Sequence, residues 1–145
     1  MTPRLVAAAL LGCTLLASAA PRPAEALSCV APGVHDATLA VQGRVTTVRF
    51  LSQRWRKPWP GDRTVLVKEY EAKVTPMKVL RGSAAPKTFT YRYRRPNIDC
   101  DFSKDVKPGE VAVFTFHRWP GAAEPSIIAW PPASYEETAR RARVQ

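Results

Sequence analysis

Residues 63–82, RTVLVKEYEAKVTPMKVLRG, decide the fold. Val65, Leu66, Val67, Tyr70, Val74, Val79 and Leu80 run through this stretch and Arg81-Gly82 closes it, which predicts one long β-strand. Leu66, Tyr70, Ala72 and Val74 share one parity, and Lys68 breaks the pattern. Pro76 cannot donate to a ladder. It is therefore expected at an edge or bulge, where the apolar phase shifts to Met77, Val79 and Leu80.

Working outward, 39–51 (LAVQGRVTTVRFL) reads as a strand, and Gly43 inside it predicts a bulge or sharp bend. The stretch 52–62 (SQRWRKPWPGD) reads as a loop, because its prolines and glycine interrupt a ladder. Past the turn at 82–86, Phe89, Tyr91 and Tyr93 alternate with Thr88, Thr90 and Arg92, the pattern of a half-buried strand. A connection containing Cys100 leads to the turn Lys107-Pro108-Gly109-Glu110. The next strand, 111–116, is apolar on both faces: Ala112, Phe114 and Phe116 oppose Val111, Val113 and Thr115. Ile127 to Trp130 makes a last strand, stopped by Pro131-Pro132. Ser134 and Glu137 have capping-box spacing and predict a helix over 134–142, with Arg140, Arg141 and Arg143 at its C-terminal end. An immunoglobulin-type sandwich needs about seven strands. The expected fold is all-β: a small five-stranded OB-type Greek-key barrel with a short C-terminal helix.

The first residues carry a different signal. Arg4 followed by the nearly unbroken apolar run to Ala20 has the layout of a secretory leader, and the run is short for a membrane span. Small-x-small sites place the cut after residue 26, leaving Leu27 first, or after 28, leaving Cys29 first. The chain thus divides into a signal peptide at 1–26, a barrel domain at 27–131 and a helical tail at 132–145. The expected location is secreted or periplasmic, with no transmembrane segment once the signal is removed. Leu10-Leu11-Gly12-Cys13 looks like a lipidation site and makes a lipid-anchored envelope form the alternative. Only eight apolar residues precede Cys13, and the apolar character continues past it.

Loss of residues 1–26 removes Arg4, Arg22 and Glu25, leaving 20 Lys+Arg against 11 Asp+Glu, a net charge of +9. Such an excess suits acidic proteins or an anionic envelope surface; it also serves solubility alone. Cys29 and Cys100 remain, in an oxidising compartment, as a disulfide pair or as two thiols or metal ligands that lack a companion cluster.

His35 and His117 are the only histidines, and no nucleophile motif, paired-acid signature, metal-ligand spacing or phosphate-cradling glycine loop accompanies them. The sequence therefore points away from an enzyme, with no catalytic residue, metal or cofactor expected. Two surfaces remain. The first is the loop bearing Arg54, Trp55, Arg56, Lys57 and Trp59. Trp and Arg anchor interfaces because each desolvates a large area and keeps a polar handle. The opposing reading folds Trp59 back as a cap on the barrel and stacks Trp55 on an arginine. The second surface is a candidate polyanion patch at Arg92, Arg94 and Arg95, with Arg140 and Arg141 on the helix. The parity of Tyr91 and Tyr93 with Phe89 turns those rings toward the core, and export argues against nucleic acid as the partner.

Three features in chain order carry a family resemblance. Cys29 is followed by Ala31-Pro32; a strand closes on Val79-Leu80-Arg81-Gly82; and Cys100-Asp101-Phe102 precedes Lys107-Pro108-Gly109-Glu110 and an apolar strand. Together, from Cys29 to Phe116, they resemble the netrin-like family, the OB-fold group that includes tissue inhibitors of metalloproteinases and their bacterial relatives. The resemblance implies a Cys29–Cys100 bridge tying the N-terminal segment to the loop after the 89–93 strand. Closing a loop with a separation of 71 positions is worth about 4 kcal/mol in chain entropy. Inhibitors of that family open with Cys-x-Cys and chelate the protease zinc through the first residue's α-amine and carbonyl. Here Ala31 replaces the second cysteine, and a Leu27 terminus would displace the amine by two residues. The function expected is that of an exported binding module. It holds a protein partner, acidic or a protease, through the 52–62 loop and the N-terminal edge at Cys29 and Val30. The alternatives are a metalloprotease inhibitor with a free Cys29 terminus and a charge-driven binder of polyanions or the envelope surface.

Overall fold

The computed structural model describes residues 32–58, 60–98 and 101–144. The leader, Cys29, Val30, Trp59 and Cys100 lie outside the described residues, and with them the proposed disulfide.

Five antiparallel strands form one sheet: β1 (Leu39–Arg56), β2 (Val65–Arg81), β3 (Phe89–Arg95), β4 (Val111–His117) and β5 (Ser126–Trp130), in the order β3-β2-β1-β4-β5. Read from β4, the first four lie 4-1-2-3, the Greek-key order. In a flat sheet β3 and β4 would stand about 14 Å apart, three strand spacings. Instead the Phe89 ring on β3 meets those of Phe114 and Phe116 on β4 at 5.3 and 5.1 Å. The sheet is therefore rolled. Its interior holds Val41 and Val45 of β1, Ala72 and Val74 of β2, Tyr91 and Tyr93 of β3, Ala112, Phe114 and Phe116 of β4, and Ala129 of β5. This is the small, partly open OB-type barrel expected.

β3 and β5 make no ladder with each other among the described residues. Side chains bridge that seam. The Tyr91 hydroxyl donates to the Lys104 carbonyl (2.9 Å), accepts the Lys104 amide (2.8 Å) and meets the backbone of Ala129 on β5. Tyr93 donates to the Val106 carbonyl at 3.1 Å, which draws Val106 into the core.

The bend of β1 is built at Gly43. Register shifts lie between Gln42 and Gly43, opposite Pro76. A Cβ on Gly43 would come within 2.6 Å of Val74 Cγ1 and 3.3 Å of the Thr75 carbonyl. Both breaker residues thus sit where their chemistry predicted. β4 is buried on both faces: Phe114 and Phe116 enter the barrel, while Val113 packs outward against Val34, Ala40 and Tyr135. Tyr135 belongs to the helix α1 (Pro132–Arg141), and Val34 to a short 3-10 turn, Val34–Asp36.

Two sequence expectations are corrected. The helix starts at Pro132, whose fixed φ and missing N–H suit the first helical position, so Ser134 lies inside it and the expected capping box does not form. The strand expected at 39–51 continues to Arg56, because its pairing with β2 continues through Ser52↔Glu69, Arg54↔Val67 and Arg56↔Val65. It ends just before Lys57-Pro58, and the loop is 57–64. Arg54, Trp55 and Arg56 are therefore strand residues.

Candidate functional site

The hairpin β1–β2 outruns its neighbours. β4 pairs with β1 only as far as Arg44↔Val111, followed by the bonds Val45 N–H to the Glu110 carbonyl and Gly109 N–H to the Val45 carbonyl. β3 covers β2 only from Val74 back to Lys68. Over 47–53, β1 is therefore the edge of a three-stranded sheet with β2 and β3, and only the tip, 54–56 with 65–67, has no third strand among the described residues. A lone two-stranded hairpin is marginal in water. The β1–β2 hairpin is held by ordered side chains on both faces.

Carboxylates organise one face. Glu71 accepts hydrogen bonds from Arg49 Nε (2.9 Å) and Nη2 (2.6 Å) on β1, and from Arg92 Nε (3.1 Å) on β3. Glu69 accepts from Ser52 Oγ (3.0 Å) and Arg54 Nη2 (2.8 Å) on β1, and from Arg94 Nε (3.0 Å) on β3. The hydrogen bond from Arg49 leads in holding the Glu71 carboxyl below its ordinary range. Burial pushes Glu69 up, but the Ser52 hydroxyl and the Arg54 and Arg94 charges outweigh it and leave it lowered. A cleft of 390 Å³ opens beside this ladder, lined by Leu51, Glu69, Tyr70, Arg92, Tyr93, Arg94 and Asp101.

The other face is aromatic. Phe50 lies across from Tyr70 and Trp55 across from Leu66. Tyr70 and Leu66 share a parity, so Phe50 and Trp55 share a face although they are an odd number of positions apart; the register shift between Phe50 and Ser52 absorbs the difference. The Phe50 ring meets Tyr70 edge-on at 5.9 Å, and Tyr70 stacks on Tyr93 at 5.3 Å, so the core's aromatic chain continues out onto the hairpin. With no strand facing it there, Phe50 is 52% exposed and Trp55 68%.

The residues expected to form one binding loop are therefore divided. Trp55 lies on the aromatic face. Arg54 and Arg56 lie on the charged face, Arg54 paired with Glu69, while exposed Lys57 begins the loop. The arginines expected in a polyanion patch are placed on two elements, β3 and α1. Arg92 and Arg94 are paired with carboxylates, and Arg95 pairs with Asp105 at 2.6 Å and sits 5.9 and 5.8 Å from the Tyr70 and Tyr93 ring centres. Arg140 and Arg141 belong to α1, which packs against β4 and the 3-10 turn rather than β3, and Arg141 pairs with Glu137. Sequence reasoning missed Glu69 and Glu71. The signal was present in the spacing: Glu69-x-Glu71 on β2 matches Arg92-x-Arg94 on β3.

The histidines take separate roles. His35 is exposed and lies 3.3 Å from its neighbour Asp36. His117 is buried, and its Nε2 is 2.8 Å from Thr115 Oγ1, which also accepts Trp130 Nε1 (2.8 Å) and donates to the Ile128 carbonyl (3.4 Å). A hydroxyl has one proton and two lone pairs, so with the Thr115 proton directed to Ile128, His117 Nε2 is the donor there. Its Nδ1 is then bare, with no hydrogen-bond partner. Burial lowers the His117 pKa against the opposing pull of Asp36. No group of three or more His, Cys, Asp or Glu side chains is placed to hold a metal among the described residues, and no helix there is long and apolar enough to cross a membrane.

Fold and hairpin together define a small rolled β-barrel whose long β1–β2 hairpin runs past β4 and shares an ion-paired face with β3. Compared with known proteins, the chain matches no family model, no curated sequence and no solved structure.

Proposed function

We propose that the chain is an exported, disulfide-bonded, non-enzymatic binding module that grips a protein partner with the distal β1–β2 hairpin, supported by the N-terminal edge at Cys29 and Val30. The observation that carries this reading is Trp55, 68% exposed on a paired strand rather than a mobile loop. A large aromatic held by a cross-strand ladder loses little further conformational freedom on binding, which is what an interface anchor requires. The charged groups support binding rather than catalysis: the hairpin carboxylates are consumed in ion pairs, and the buried histidine makes its one side-chain bond to a threonine. The resemblance to the netrin-like family supports the same reading.

Partners captured from the exported fraction by the mature chain supply the assay. Trp55→Ala is expected to weaken their binding on the order of 30-fold, the loss of a 2 kcal/mol anchor. The unfolding free energy is expected to stay within about 0.5 kcal/mol, because the side chain is outside the core. Unchanged affinity would mean that the binding surface lies elsewhere.

A further inference from the structure

β1 has a bare backbone edge. Past Val45 it pairs with β2 alone, so over 47–55 the N–H and C=O groups directed away from β2 have no strand partner among the described residues. Such an edge is a template for another strand. β2 has a comparable bare edge on its β3 side after Val74, but Pro76 and Lys78 interrupt it. The β1 edge has no proline, and the longest regular run of the strand's pairing with β2, Ser52 to Arg56, includes Trp55.

We propose that this edge of β1 receives an extended, acidic segment of the protein partner as an added β-strand. The proposal rests on the hairpin reading above and names the mode of contact and the chemistry of the partner. Charge across the sheet alternates strand by strand: Arg92 on β3, Glu71 on β2, Arg49 on β1; and again Arg94, Glu69, Arg54. The next position outward calls for a carboxylate. On the opposite face, Phe50 and Trp55 offer apolar surface to the same incoming strand. Because side chains alternate with a period of two, the matching segment alternates acidic and apolar residues. A second copy of this chain fits poorly. Residues 46–57 carry Arg49, Arg54, Arg56 and Lys57 and no carboxylate, so self-pairing would set like charges side by side.

The probe is an end-capped peptide of alternating glutamate and valine, added to the mature, oxidised protein while amide exchange is followed residue by residue. At ten times its dissociation constant, the peptide is expected to slow exchange of alternate amides within 47–55 about elevenfold and to shift Trp55 fluorescence. Amides of 75–81 are expected to stay unchanged. A lysine–valine peptide, and the glutamate–valine peptide N-methylated at alternate residues, are expected to do neither. Strand addition is overturned if the N-methylated peptide binds equally well, if protection appears elsewhere, or if no peptide binds. Protection of 47–55 that rises with protein concentration alone would overturn it too, by making a second copy the occupant. If partners lose affinity with Trp55→Ala while the peptide leaves 47–55 unprotected, the hairpin reading survives and strand addition does not. Partners indifferent to Trp55→Ala overturn both.

Discussion

Single residues set the tolerances of this fold. Gly43→Ala pushes a methyl to within 2.6 Å of Val74 Cγ1 at a register shift of β1. The substitution is expected to lower the unfolding free energy by about 1–3 kcal/mol, read as a shift in the urea midpoint at constant slope. His117 makes stability depend on pH. Its ordinary pKa is 6.5 and the folded value is lower. Just below pH 6.5 the unfolded chain therefore takes up a proton that the native imidazole refuses, and stability falls as pH drops through that window. His117→Gln is expected to flatten this limb in denaturation series. A second limb, below pH 4.5, belongs to Glu69, Glu71 and Glu110, whose folded pKa values are depressed, and is expected to persist in the variant.

At the scale of elements, the hairpin depends on its carboxylates. Glu69 links Arg54 on β1 to Arg94 on β3 and takes the Ser52 hydroxyl besides. Glu69→Gln is expected to cost up to about 1 kcal/mol at low salt, because the groups are partly exposed, and less in molar salt, where the pairs are screened. A loss unchanged by salt would show that the ion pairs contribute nothing. The strands were legible where one face met the core: Phe89, Tyr91 and Tyr93 alternate in the sequence and in the barrel alike, and the doubly apolar 111–116 run became the strand buried on both faces. The candidate site was less legible. The stretch 52–56 has no apolar alternation, since one of its faces is ionic and the other exposed, so only its register with β2 makes it a strand. Local signals also misplaced the helix start, where Pro132 prevailed over a correctly spaced Ser134 and Glu137.

The whole molecule is a thin barrel in which β3 and β5 make no ladder among the described residues, and the Tyr91 and Tyr93 hydroxyls tie β3 to the connection at 104–106. A covalent link from the N-terminal segment to the connection after β3 would reinforce that side. Reduction of the proposed Cys29–Cys100 disulfide is expected to lower the unfolding free energy by about 4 kcal/mol, checked by chemical denaturation with and without reductant. Equal midpoints would remove the link from the account of stability.

The sequence by itself determined the strand succession, the bulge chemistry of Gly43 and Pro76, and the strand buried on both faces. Each rests on local rules: side-chain period two, a proline without a donor, a glycine without a Cβ. Tertiary structure alone decided that Trp55 and Arg54 point to opposite faces, that Arg92 and Arg94 of β3 pair with β2 carboxylates, and that β1 past Val45 has one edge with no strand partner among the described residues. Those outcomes follow from strand register and unequal strand lengths, which are properties of pairs of segments and are written in neither segment alone.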